Sequence, residues 1–374
     1  MRHTHDHILV AFIAFILLGI FALFTFKVSF MRPVANAIGN FSVTDVFYSI
    51  ERKWLKPNEI NEDIVLVDLT ELTSRGDIAR ALSEIYEAEP IAIGVDLQFE
   101  FRNDSLNDAK LATTADSISD LTVFACKLLD YSEEQKCFQN VSNSFFVNSS
   151  IKTGYANLLD NMENKTIRTL STRQCLNNDT ILSIPAKIFQ DLIGEDLPSN
   201  NEMFIDYSTN FISIPYADLK ENKDVLKERI VLVGLMEEEA DMHPSSIGKI
   251  PGLAIQGYSL ATLLSHKSPH VFKETLPIII AFILSFFIDI TLCYIGKFVK
   301  SRSKSLSVFL SESRILLWLN SFLWLSFITL GSFMLFHYYN TYVETVLPLA
   351  VAGLTPLSHR LYYATKHSLF ANKS

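Results

Sequence analysis

Cysteine is scarce, with four residues in 374, and none sits in a Cys-x-x-Cys pair or a Cys/His cluster that would suggest zinc. The central region has no Gly-x-Gly-x-x-Gly, no Gly-x-Ser-x-Gly and no P-loop. This removes the dinucleotide, esterase and nucleotide-triphosphate readings. EF-hand spacing is missing, and no internal repeat or low-complexity segment occurs. Positive charge is short as well. Residues 28–275 hold 22 Lys and Arg against 37 Asp and Glu, a formal charge of −15. Such a surface repels nucleic acid and anionic headgroups.

What the chain does have is long apolar runs. Residues 8–26, "ILVAFIAFILLGIFALFTF", carry no charge. Further runs begin at Leu276, Ile315 and Val343, each long enough to cross a hydrocarbon core of about 20 helical residues. The last is crowded by Glu344, Pro348 and Arg360. Lys297, Lys300, Arg302, Lys304 and Arg314 follow the second run, whereas 337–342 has no Lys or Arg. By the positive-inside rule the reading is a cytoplasmic stretch 1–7, spans at 8–26, 276–296, 315–336 and 343–363, a basic cytoplasmic loop 297–314 and a cytoplasmic tail 364–374. Residues 28–275 then lie outside, in a multi-pass protein of the inner or plasma membrane. The "ANA" at 35–37 resembles a cleavage site, but a 19-residue apolar core reads as an uncleaved anchor. Cys137 and Cys175 lie in polar stretches on the outer side, where a disulfide or two free thiols would both fit.

The expected fold class is an α/β extracytoplasmic domain with a mostly parallel or mixed sheet, plus four transmembrane α-helices, one before it and three after. "DIVLVDL", "IAIGVDLQF", "TVFACKLL" and "ERIVLVGL" are apolar runs expected of strands buried on both faces. Helices are expected at "SRGDIARALSEIYEAE", "LNDAKLATTADSI", "SIPAKIFQDLIG" and "LAIQGYSLATLLS". "GYANLLDNMENKTIRTLST" reads as two strands around a turn at 161–164, and 132–150 as an insertion or mobile loop.

These pieces, in this order, resemble the type-two CHASE domain, an extracellular sensory domain found with cyclases and histidine kinases. "IVLVDL", "EPIAIGVDLQFE", "NDAKLA", "GYANL…TIR" and above all "RIVLVGL…ADMHP…PGLAIQGYSLATLL" carry the likeness over most of residues 45–268. One span before and three after is the family's usual arrangement. Two departures stand out. "LTSRGD" occupies the place of a Trp-Pro-Trp-like element, and no stretch here reads as a cytoplasmic output domain. The resemblance therefore implies a sensor whose response passes to a separate partner.

Ligands of parallel sheets bind outside the strands' carboxyl ends. Asp68, Asp96, Glu100 and Asp241 follow strand ends and are the ligand-binding candidates; the resemblance singles out Asp241 in its loop. Together they would form an acidic crevice suited to a cation, an amine or hydroxyls. Arg75, Arg80 and Arg168 could neutralise the crevice or bind an anionic ligand. The competing readings are surface ion pairs or helix-end roles for them, cap and turn duty for Asp68 and Asp96, and a solvated turn for Glu237–Glu239. His243 reads as a surface histidine. Within the second span, Asp289 is a polar candidate that the cytoplasmic interface or Lys297 could satisfy. No catalytic residue, cofactor or metal is expected. The leading reading is a non-enzymatic membrane sensor with an unknown outer ligand, and a homodimer is compatible with it. An envelope interaction scaffold is the alternative, and a transporter component the third.

Overall fold

The computed structural model describes residues 2–27, 42–55, 59–158, 166–272, 275–302 and 315–371. The "ANA" triplet, the 161–164 turn and most of the basic loop fall outside them. Two units divide the chain: Tyr48–Pro269 is one, and Met1–Phe47 with His270–Ser374 is the other.

The first elements are α1 (Arg2–Lys27) and α2 (Val43–Ile50). Then come β1 (Ile60–Asp68), α3 (Arg75–Tyr86), β2 (Ala92–Val95), α4 (Ser105–Ser117), β3 (Thr122–Ser132), β4 (Cys137–Ser142) and β5 (Lys152–Tyr155). They are followed by β6 (Thr169–Ser171), β7 (Arg173–Leu176), β8 (Asp179–Leu182), α5 (Ile184–Asp191), β9 (Glu202–Phe204) and β10 (Asn210–Pro215). β11 (Ile230–Gly234), the hairpin of β12 (Met242–Ser245) and β13 (Gly248–Pro251), and α6 (Gly252–Ser265) complete the α/β unit. Beyond it lie β14 (His270–Phe272), α7 (Thr275–Arg302), α8 (Ile315–Tyr339), β15 (Thr341–Val343) and α9 (Val346–Ala371).

The main sheet runs β10-β1-β11-β2-β3-β4-β7-β8, with β5 also beside β3. From β10 through β3 and on to β5 every pair is parallel; β3–β4 and β7–β8 are antiparallel. The sheet is therefore mixed. β2 and β11 are buried at every position, which is why their sequences run apolar without alternation. On one face Ile78, Leu82 and Ile85 of α3 and Leu111 and Ala115 of α4 pack on Val65, Val67, Val95 and Val233. Each such side chain contributes roughly 1.5–3 kcal/mol when fully buried. Near the opposite face, α6 is buried from Gly252 to Leu263, with Tyr258 tilted on Phe211 of β10 at 4.7 Å. Ser74, Asp104 and Ser183 start α3, α4 and α5 by accepting from first-turn N–H groups.

Three expectations change. Residues 132–150 are not a loose insertion. β3 runs on to Ser132, turns into β4, and Phe146 and Ile151 enter the core. The two strands expected around 161–164 do not pair with each other, since β5 joins β3 and β6 joins β9. β10 and the β7–β8 hairpin are strands beyond those expected: "NFISIP" breaks its apolar residues with Ser213 and Pro215, and "RQCL" and "DTIL" are half polar. Asn177 and Asn178, at φ of 50° and 71°, make the hairpin turn. Cys137 and Cys175 are joined in a disulfide that ties β4 to β7, while Cys126 is a buried free thiol, pushed up to about 11 by burial.

In the other unit, Thr4–Leu23, Thr275–Ile295 and Leu319–Tyr339 are long and apolar enough to cross a membrane. The expected fourth span is also helical, but it begins at Val346 because 341–343 forms β15, paired to β14. α9 has the length to span, yet His359, Arg360 and Lys366 give it a polar second half. Leu284, Ile288 and Leu292 of α7 pack with Ile328 of α8 and Ala352 of α9, and Ala14 of α1 meets Ala281 and Val351.

Candidate functional site

The parallel strands bring the ends of β1, β11, β2, β3 and β5 to one edge of the sheet, and the candidates sort themselves there. Asp68 is occupied. Its Oδ1 accepts from the Thr70 N–H at 2.9 Å, the Thr70 hydroxyl at 2.5 Å and the Met236 N–H at 3.1 Å. It closes a turn and ties the exit of β1 to the exit of β11. Glu100 is exposed and accepts from the Ser142 hydroxyl at 2.6 Å.

Asp96 and Asp241 do come together. Asp96 follows β2, its N–H bonded to Val233 O at 2.8 Å. Gly234 makes room beside it, for a Cβ there would stand 3.1 Å from Leu253 and 3.5 Å from the Asp96 Cβ. The loop after β11, where Glu237, Glu238 and Glu239 are exposed, returns through the β12–β13 hairpin. That hairpin pairs Met242 with Pro251, so Asp241 reaches Gly252 at the start of α6. A Cβ on Gly252 would lie 3.0 Å from both Asp241 carboxylate oxygens, so glycine lets the carboxylate sit closer than a larger residue would. Pro251 caps α6 without a side-chain acceptor, and the negative charge beside the helix start is favourable by about 0.3–1 kcal/mol. His243 Nε2 stands 3.3 Å from Asp241 Oδ1.

Loss of hydration first, and then the charge of Asp241, push Asp96 up to about 7, with His243 acting in the opposite direction. At neutral pH the pair therefore carries less than two full charges. The cleft around them measures about 530 Å³ and is walled by Lys127, Tyr131 and Phe138 from β3 and β4, Asn157 after β5, and Gln256 of α6. Tyr131 and Phe138 meet edge to face at 5.0 Å. Asn157 clamps Leu128 by accepting its N–H at 2.7 Å and donating to its carbonyl at 3.0 Å. These wall residues carry no motif. Asn157 and Gln256 lie within the stretches that carry the resemblance, "GYANL" and "PGLAIQGYSLATLL", but nothing there marks them as cleft residues. The cleft can hold an amine or hydroxyls on its carboxylates and an apolar face on its aromatics.

Other sequence candidates hold the fold. Arg75 pairs with the buried Asp108, donates to Phe101 O at 2.6 Å and lies over Phe99 and Phe145. Arg80 pairs with Asp77 at 3.0 Å on the surface, and the Arg168 carbonyl accepts from Ile205. Asp289 differs from expectation. It is fully buried rather than solvated at an interface, and its partners are His7 and His359, each with Nδ1 2.5 Å from a carboxylate oxygen.

No curated protein and no solved structure matches the chain. The family model of the CHASE2 domain, a sensory domain, matches residues 13–290, well over half of it. A mixed α/β unit with that order of strands, helices long enough to span on both sides of it, and this match together make the chain a member of the CHASE2 family.

Proposed function

We propose that this chain is a membrane sensor whose α/β unit faces away from the cytoplasm and binds a small polar ligand in the Asp96–Asp241 cleft. The Lys and Arg residues after the second span, against none at 337–342, support that orientation. On this reading α9 completes a fourth crossing. The ligand class is an amine or a polyhydroxylated molecule with one apolar face.

The observation that carries the reading is the meeting of two carboxylates, one of them half-buried, in a roomy cleft at the strands' carboxyl edge. Signal transfer would use α6, which contributes Gly252 and Gln256 to the cleft and continues in sequence toward α7. A ligand shifts such an element only by binding one of its states better. The response would then pass to a signalling partner. The test is thermal unfolding of the full chain in detergent against a panel of polyamines, amino acids and sugars. A binder at 100 times its Kd should stabilise the α/β unit by about 2.7 kcal/mol. Asp96→Asn and Asp241→Asn should each remove that stabilisation, and a stabilisation that survives both would place the ligand elsewhere.

A further inference from the structure

Three helices of the membrane unit converge on Asp289. The carboxylate is wholly buried, and each oxygen has one imidazole Nδ1 at 2.5 Å, His7 of α1 on Oδ2 and His359 of α9 on Oδ1. Cys293 lies one turn further along α7 on the same face, its Sγ 3.4 Å from the Tyr363 hydroxyl. The donor atoms of His7, Asp289 and Cys293 all lie within 4.8 Å of one another. No spacing in the sequence announces this group, because 282 residues separate His7 from Asp289.

We propose that His7 Nδ1, Asp289 Oδ2 and Cys293 Sγ form a binding site for a zinc-like divalent transition metal in the helical unit. The donor chemistry selects the metal. Calcium and magnesium call for six or more oxygens, which this group does not offer, whereas one nitrogen, one oxygen and one sulfur suit zinc and its neighbours. Tetrahedral ligands at zinc bond lengths of about 2.0–2.3 Å sit roughly 3.5 Å apart. The ion would therefore take the place of the 2.5 Å His7–Asp289 hydrogen bond, parting those two atoms by about 1 Å while the sulfur, within 4.8 Å, closes in. Charge points the same way. A divalent ion against one carboxylate and one thiolate gives a neutral site, and charge buried among spanning helices is expensive. Binding expels the Cys293 proton to solvent and leaves the fourth coordination position to water. His359 acts as a positioning residue: it holds the second carboxylate oxygen, as metal-site carboxylates are commonly held, while the Tyr363 hydroxyl faces the sulfur.

The test uses the full chain in detergent, stripped with chelator and reloaded. Zinc should bind at one equivalent per chain, and cobalt(II) in its place should give a thiolate-to-metal charge-transfer band. Cys293→Ser, which preserves size and adds no charge, should abolish that band. His7→Ala should lower zinc affinity by more than about 100-fold, and His359→Gln by about 10–100-fold. His5→Ala, at an exposed position two residues from His7, should change nothing. No uptake by the native chain, or uptake and a band that persist in Cys293→Ser, would overturn the proposal. So would uptake lost on His5→Ala alone, which would mark an adventitious N-terminal histidine site.

Discussion

The two units of this chain are built inside out with respect to each other. In the α/β unit Val65, Ile93, Phe124 and Val231 have no exposed surface, and the acids lie mostly outside. In the helical unit Phe12, Ile16, Phe322 and Phe327 are more than half exposed, while Asp289, Ser285 and Thr355 are fully buried. Solvent explains the reversal. Water drives apolar groups together, whereas against hydrocarbon a leucine gains little by turning inward, and polar contacts become the glue between helices. The same residue type meets opposite fates. Asp96 is a half-buried acid facing another acid, and Asp289 is a buried acid held by two imidazoles.

The sharpest separation of the units should come from the disulfide. Cys137 and Cys175 are 38 residues apart, so their bridge restricts the unfolded chain by about 4 kcal/mol in the chain-entropy account. Replacing both with Ser, or adding reductant, should lower the unfolding transition of the α/β unit and leave that of the helices in place. Two-probe thermal unfolding in detergent, far-ultraviolet dichroism beside tyrosine fluorescence, would read this. A common displacement of both transitions would break the division into two units.

Next in size is Asp289→Asn. Asn keeps one acceptor oxygen but turns an amide N–H2 toward the other partly buried imidazole, and the loss of the charge and of that contact costs about 3 kcal/mol by analogy with broken buried pairs. Denaturant unfolding of the helical unit checks it. A neutral outcome would mean that the carboxylate is not held by His7 and His359.

Half of the α/β fold was legible because its signals are local. "IVLVG" and "AIGV" are continuous apolar runs, as strands covered on both faces are, and Ile78, Leu82 and Ile85 recur at helical spacing. β7, "RQCL", was illegible because pairing, and not composition, makes it a strand, and the short apolar run of β10 is closed by Ser213 and Pro215. For the site, Asp96 and Asp241 were legible as residues after strand ends. Their meeting was not, since it depends on the β12–β13 register and on Gly252. Asp68 looked equivalent in sequence, yet Thr70 and Met236 claim its oxygen. His7, Cys293 and His359 could not have been joined to Asp289 by any spacing rule, because helix packing alone brings them there.

Asp96→Asn should act with the opposite sign to Asp289→Asn. Asp96 rises from 3.8 in the unfolded chain to about 7 in the folded one, so folding binds a proton between those values. Its cost is absent below pH 4, grows as pH climbs to about 7 and is complete above that. Every tenfold gain in proton affinity on folding corresponds to about 1.4 kcal/mol, and partial exposure discounts the total to roughly 2 kcal/mol. The Asn variant should therefore gain stability at about pH 8 and nothing at about pH 4, as pH-resolved unfolding would show. A variant equally destabilised at both values would recast Asp96 as a structural acceptor.

The smallest effect on stability should come from Gly252→Ala, and for that reason it isolates the cleft. Alanine favours helix by up to about 1 kcal/mol over glycine, and what its Cβ would strike is the end of the Asp241 side chain, 41% exposed and free to swing. Folding should change by less than about 1 kcal/mol. Asp241, however, must give way at the start of α6 by a few tenths of an ångström or more. With its charge further away the titration of Asp96 should move down from about 7, and the pH at which stability levels off should fall with it. A ligand held by both carboxylates should bind about tenfold more weakly, the equivalent of roughly 1.4 kcal/mol. Unaltered titration and affinity in this variant would show that Asp241 does not work from that seat, and the likeness between the two buried acids would reduce to Asp289 alone.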